Sequence, residues 1–346
     1  MIAHLFEEDG RRRIAEYLKS MEHRTHLWLN LMFGIIEWRL GMYARRSDVD
    51  SLLSDLPSRA SEANEKILNR SADRLQTEAL FQIILTATRP LTLDEANVAL
   101  TVALEKGQIG PLPALASKIQ PRESFKNTVK SLCGPLISIY NSKLIIHKTM
   151  RDFLMCQKQA GNWQGRFDLT RSHGKMALIC LRYLSCFDEQ KSALTFWVNY
   201  PLAQYSAQFW IDHVKLAETE EQVQEGVLEF FFVQEQAYRA WVKLYDLVSP
   251  KIQAATEYAA APPLYCASVA GVQRIAELLL KRWVDVNAQG GEYGNALQAA
   301  CFKGNKETAK ILLEKGADVN AKGGMYGHAL QAASYAGNRV VVELLL

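Results

Sequence analysis

The last quarter of the chain repeats itself. Leu264, Leu297 and Leu330 lie 33 residues apart, and the same interval separates Gly271, Gly304 and Gly337, and again Leu280, Leu313 and Leu346. A fixed period of this length means that each unit is one supersecondary element which buries its apolar face only against its neighbours, so this part of the chain is a solenoid and not a globule. Asp285 to Cys301 (DVNAQGGEYGNALQAAC) and Asp318 to Ser334 (DVNAKGGMYGHALQAAS) agree at 13 of 17 positions, which chance does not explain. Each unit reads as a short inner helix (Ala296 to Cys301), a turn at Gly304, a longer outer helix (Lys306 to Glu314) and an extended loop to the next unit. Gly316 falls where a helix C-terminus takes a left-handed residue.

The unit resembles the ankyrin repeat. The usual Thr-Pro-Leu-His at the start of the inner helix is here Asn295-Ala296-Leu297-Gln298 and His328-Ala329-Leu330-Gln331, and the first unit has Pro262-Pro263-Leu264-Tyr265. The Thr-His hydrogen bonds of the family are therefore expected to be lost. Trp283 stands where the next unit has Gly316, as in an atypical first repeat. The chain ends at Val341-Glu343-Leu346, inside an outer helix with an apolar face and no polar cap, so a longer array is the expectation.

At 346 residues the chain predicts two or three domains. Apolar residues are 49% and charged residues 22%, the composition of a folded globular protein. Lys and Arg number 40 against 37 Asp and Glu, a net charge of +3 that gives no broad basic field for nucleic acid or anionic lipid. The longest apolar stretch, Leu27 to Trp38, is shorter than a membrane span and contains Asn30 and Glu37, so it reads as a core helix. No secretory signal opens the sequence, and the six cysteines contain no CxxC pair, which predicts reduced, buried thiols in a cytoplasmic protein.

The middle of the chain carries a second pattern. Arg89-Pro90-Leu91-Thr92-Leu93-Asp94-Glu95 places Thr92 three residues before Glu95, a capping box opening a helix through Leu104. A Gly/Pro-rich loop (Gly107 to Pro121) follows, then a helix from Glu123 to Cys133. Leu136 to Tyr140, a turn at Asn141-Ser142, and Lys143 to His147 then read as a β-hairpin. Helix, helix and hairpin make a winged helix. Ile146-His147-Lys148-Thr149-Met150-Arg151-Asp152-Phe153-Leu154 resembles the end of the winged-helix domain of STAND NTPases, where the His belongs to an MHD-type motif; Lys148 stands at the position of that motif's Asp. The resemblance implies that His147 reads the phosphates of a nucleotide held by a preceding domain. Its other reading is a strand-end histidine satisfied by its neighbours.

Arg24 to Leu29, Leu56-Pro57 and Ile67 to Ser71 resemble the stretch that follows the nucleotide-binding core of fungal NACHT-ankyrin proteins. Cys180 to Leu184 and Tyr200 to Trp210 resemble their helical spacer. The fold expected is mainly α and multidomain. Residues 1–70 form a helical segment resembling the end of a NACHT module, 71–160 a winged-helix domain with a small β-hairpin, 161–255 a helical spacer, and 256–346 about three ankyrin repeats.

No Gly-x-x-x-x-Gly-Lys-Ser/Thr run occurs to hold phosphates, so catalysis and a cofactor of its own are not expected. His23 and His26 have helical spacing for a metal pair but lack completing ligands, and no metal is expected. Arg11-Arg12-Arg13 adjoins Glu7, Glu8 and Asp9 and reads as a solvated helix face. Ankyrin repeats imply a protein partner. Tyr293 and Tyr326 recur at loop tips, and Phe302 and Tyr335 at the ends of inner helices, so these four are the candidate partner-binding residues; for Tyr293 and Tyr326, packing on each other between repeats is the alternative. The function expected is a signalling scaffold whose winged helix couples partner binding to an upstream NTPase switch. One alternative is the regulatory part of an active nucleotide-binding STAND NTPase, with nucleotide reached only through that missing domain. The other is a DNA-binding adaptor, with Lys126, Lys130 and Lys143 meeting phosphates. No membrane association is expected.

Overall fold

The computed structural model describes residues 8–20, 32–33, 36, 56–57, 59–107, 109–158, 161–187, 200–248 and 261–346. Arg24 to Leu29 and the pair His23 and His26 lie outside the described residues. Of the apolar helix expected over Leu27 to Trp38, Met32, Phe33 and Ile36 are described as helical, with Met32 and Ile36 fully buried. Among the described residues the chain is a succession of helices with one two-stranded sheet, and no helix is long and apolar enough to cross a membrane. It divides into two compact units, residues 1–97 with 120–169, and residues 98–119 with 170–346.

The elements run α1 (Glu8–Ser20), α2 (Ala60–Leu68), α3 (Arg74–Thr86), α4 (Leu93–Leu104), α5 (Leu112–Ala116), α6 (Arg122–Cys133), β1 (Ile137–Tyr140), β2 (Lys143–Ile146) and α7 (Lys148–Leu154). In α1, Ile14 and Leu18 are buried while Arg12 is exposed, 4.0 Å from Glu16. The capping box forms as expected: Thr92 N–H donates to Glu95 at 2.8 Å and Glu95 N–H to Thr92 Oγ1 at 3.1 Å. Asn141 and Ser142 take φ of 47° and 62°, the left-handed pair that a two-residue hairpin turn needs to match strand twist. The hairpin has a third member that periodicity does not reveal: Thr92 bridges Lys143, Leu93 N–H donates to Ser142 O and Leu144 N–H to Leu91 O. The Gly/Pro-rich loop also differs from expectation, since Pro113 sits in the first turn of α5, where its missing N–H costs nothing.

The first unit closes around Phe81, Phe125, Leu144 and Trp163, all nearly fully buried. Glu65 on α2 accepts the backbone N–H groups of Asn162 (3.2 Å), Trp163 (2.8 Å) and Gln164 (2.8 Å), which holds the loop after α7 in place.

The second unit continues with α8 (Leu169–Leu184), α9 (Ala203–Leu216), α10 (Glu221–Phe232) and α11 (Glu235–Val248). Their core is aromatic. Trp210 meets Trp241 at 5.2 Å and Phe230 at 5.7 Å in edge-to-face geometry, which suits the ring quadrupoles. Arg182 donates to the carbonyls of Val102, Glu105 and Gly107, so the orphan acceptors in and just past the last turn of α4 find a charged donor. His213 is fully buried with both ring nitrogens engaged, Nδ1 to His173 Nδ1 at 2.9 Å and Nε2 to the Tyr205 hydroxyl at 2.8 Å.

The repeats pair α12 (Pro263–Ala270) with α13 (Gln273–Lys281), α14 (Ala296–Lys303) with α15 (Lys306–Glu314), and α16 (Ala329–Tyr335) with α17 (Arg339–Leu345). Inner helices pack on inner helices and outer on outer, as an ankyrin stack requires. Tyr238 of α11 donates to Ala261 O and lies 3.3 Å from Cys266 Sγ, tying the spacer to the first repeat. Gly316 takes φ of 86°, and Trp283, at the corresponding position, is forced to 63°.

The loss of the family's Thr-His bonds is compensated. Asn295 caps α14 in place of Thr, accepting from Gln298 N–H at 2.9 Å. The side-chain amide of Gln298 then reaches into the next repeat, donating toward Gly327 O (2.9 Å), Gly323 O (3.1 Å) and Ala321 O (3.2 Å). This close approach demands glycine at 294, whose φ is 104°: a Cβ there would come within 2.1 Å of Gln298 Oε1 and 2.7 Å of the Gly323 backbone.

Candidate functional site

The four periodic aromatics form one ladder. Tyr293 and Phe302 stack at 4.4 Å with their planes 21° apart, Phe302 and Tyr326 at 4.9 Å and 17°, and Tyr326 and Tyr335 at 4.7 Å and 37°. Tyr293 and Tyr326 are 6.3 Å apart and near parallel, with Phe302 against both. The helix-end and loop-tip rings therefore alternate along the solenoid. Exposure rises along the ladder: Tyr293 is 8% exposed, Phe302 and Tyr326 are half-buried, and Tyr335 is 75% exposed.

Two members were not visible as a periodic signal. Tyr265 extends the ladder at 6.3 Å from Tyr293 and its hydroxyl accepts Tyr293 N–H at 3.1 Å. Its counterpart 33 residues on is Gln298, so a search at the repeat period passes over it. Lys303 places its ammonium 5.4 Å from the Tyr293 ring centre and 5.5 Å from that of Phe302, a cation–π contact; the next repeat has Ala336 at that position. Burial, and then the charge of Glu292, push the Tyr293 hydroxyl pKa upward. The Tyr293 hydroxyl is therefore neutral at physiological pH.

His147 is exposed and sits at the N-cap of α7. Its Nδ1 accepts Thr149 N–H at 3.3 Å and lies 2.8 Å from Thr149 Oγ1. On the winged helix, Lys126 is 3.3 Å from Glu123 and Arg122 is 3.3 Å from Asp94, pairings that reduce the positive field of α6; Lys130 and Lys143 are exposed.

None of the six cysteines is in a disulfide. Cys133, Cys180, Cys266 and Cys301 are buried as expected, but Cys156 and Cys186 are half-exposed, because they lie past the ends of α7 and α8 and not on their inner faces. Burial pushes the thiols of Cys180 and Cys301 up to about 12, which keeps them protonated and unreactive. Among the described residues no group of three His, Cys, Asp or Glu side chains is placed to hold a metal ion.

Comparison with known families agrees with this geometry in two places. Residues 264–346 match ankyrin repeats in three copies, and residues 65–164 match the family described as GPI inositol-deacylase, winged helix domain. Among curated proteins, the chain is similar to the azaphilone pigments biosynthesis cluster protein L of Monascus ruber, 28% identical over 294 residues, which cover 75% of this chain and 60% of that protein. The chain thus spans less than two thirds of that relative's length.

Proposed function

We propose that this chain is a non-catalytic signalling scaffold in which the ankyrin stack captures a protein partner through its aromatic ladder. The observation that carries this reading is the ladder itself: five rings from Tyr265 to Tyr335 in continuous contact, ending in a ring three-quarters exposed to water. Rigid aromatics with one end wet are favoured anchors, because they bring large contact area at little conformational cost. The winged helix, in the manner of the STAND and NACHT proteins it resembles, transmits capture to a nucleotide-binding module on the N-terminal side, with His147 at the junction between hairpin and α7.

Affinity capture with wild type, Tyr335→Ala and Phe302→Ala tests the scaffold reading, with melting as the folding control. Tyr335→Ala is expected to weaken capture without lowering the melting temperature, and unchanged capture in both folded variants refutes the reading. The chain by itself is expected to turn over neither ATP nor GTP above a blank; a rate abolished by substitution within the chain refutes the non-catalytic assignment.

A further inference from the structure

Beside the ladder the second unit holds a groove of about 340 Å³, bounded by α9, α11, the first inner helix and the loop before α14. Its walls are the rings of Trp241, Tyr245, Tyr265 and Tyr293, and two carboxylates, Asp212 and Glu292, open onto it. Among the described residues Lys303 is the single cationic side chain lining it. Glu292 adjoins Tyr293, and after burial its charge helps push the Tyr293 hydroxyl pKa upward. Asp212 is exposed at the mouth of the groove and forms neither a hydrogen bond nor an ion pair within the described residues; desolvation pushes its pKa upward, and the charge of Lys215, three residues along α9 and also exposed, acts the other way. Among the described residues that line the groove, two carboxylates face one ammonium, and Asp212 is in no ion pair.

We propose that this groove takes one arginine side chain from an extended segment of the protein partner. The chemistry is that of a guanidinium: a planar, weakly hydrated cation that stacks on aromatic faces and is held by carboxylates through paired N–H groups. The chain already shows the principle once, since Lys303 rests over the Tyr293 and Phe302 rings. Lys303 occupies that place and forms no ion pair with Asp212 or Glu292, so both carboxylates of the described lining are open to an added cation. This inference rests on the scaffold reading and names what its partner presents.

The probe is the blocked tripeptide acetyl-Gly-Arg-Gly-amide against its citrulline counterpart, which keeps the shape and removes the charge. With the full chain, titration followed by saturation-transfer NMR is expected to show saturable binding of the arginine peptide and binding about tenfold weaker for citrulline. Asp212→Asn is expected to abolish the preference with an unchanged melting temperature, since Asp212 makes no internal hydrogen bond. Equal affinity of the two peptides, no saturable binding of the arginine peptide, or an undiminished preference in Asp212→Asn overturns the inference. Partner capture that is lost in Tyr335→Ala but indifferent to Asp212→Asn overturns the arginine site and leaves the scaffold reading standing; arginine selectivity with capture indifferent to Tyr335→Ala does the reverse.

Discussion

Gln298 and Gln331 occupy the same position in successive repeats and the same place in their helices, yet their burdens differ. Gln298 is 1% exposed, and its amide N–H groups serve three carbonyls of the following repeat, the shortest contact 2.9 Å to Gly327 O. Gln331 is exposed, and its Oε1 accepts only His328 N–H at 3.1 Å, within its own capping box. A net hydrogen bond contributes about 0.5–1.5 kcal/mol, and a buried acceptor left without a donor costs about 1–3 kcal/mol more. With two N–H groups lost, Gln298→Ala should destabilise the second unit by about 2–4 kcal/mol, whereas Gln331→Ala, which trades half a capping box for better helix propensity, should cost about 0.5 kcal/mol. Gln298→Glu keeps the shape but faces the same carbonyls with a carboxylate, so it should cost at least as much as Ala. Urea unfolding gives the three values. Hydrogen exchange then locates the damage, with protection falling first in residues 321–327. Equal losses for the two Ala variants, or a stable Gln298→Glu, would refute the argument that donors at this position hold neighbouring repeats together.

Trp283 is 95% exposed and held at φ of 63°, so Trp283→Gly removes left-handed strain of about 1–2 kcal/mol, at an entropic cost to glycine of about 0.5–1 kcal/mol, while sacrificing almost no burial. A gain of about 0.5–1 kcal/mol by thermal or urea unfolding is expected, with Trp283→Ala near neutral because it keeps the strain; a destabilised Gly variant sinks the account. The His213 pKa is lowered to about 3, first by burial and second by His173. Unfolded histidine titrates near 6.5, so between these values the unfolded chain binds the extra proton: the stability this group contributes is fully present above about pH 6.5 and is lost as pH falls, by up to about 1.4 kcal/mol per unit. Urea midpoints measured from pH 7 to pH 4.5 should fall less steeply in His213→Gln than in wild type, and parallel slopes would show that His213 does not carry the dependence.

What the sequence made legible is local. The capping box at Thr92 and Glu95, the turn at Asn141-Ser142, the bounds of α15 and the left-handed Gly316 each depend on side chains within a few residues of the backbone they govern. What stayed hidden is carried by pairs distant in sequence. Thr92 reaches Lys143 through strand register, and Glu65 meets three N–H groups nearly a hundred residues away. The ladder is an intermediate case. The 33-residue period identified four of its rings, but whether they face water or each other depends on the offset between neighbouring repeats, which no single repeat encodes.

That offset is fixed by amide side chains. Asn305 donates to Ser268 O and Val269 O of the preceding inner helix, and Asn338, 33 residues later, repeats the contact on Cys301 O and Phe302 O. On the loop side Asn287 donates to Gly316 O and accepts Asp318 N–H at 2.8 Å. Each tie spans one interface between adjacent repeats, the arrangement in which a solenoid's stability is a sum of nearest-neighbour terms. The Asn338 contact lands on the carbonyl of Phe302 itself, the ring stacked between Tyr293 and Tyr326. These polar ties therefore also set the ring spacing of the ladder, so loosening one interface should open the stack at one pair of rings and leave the others in place.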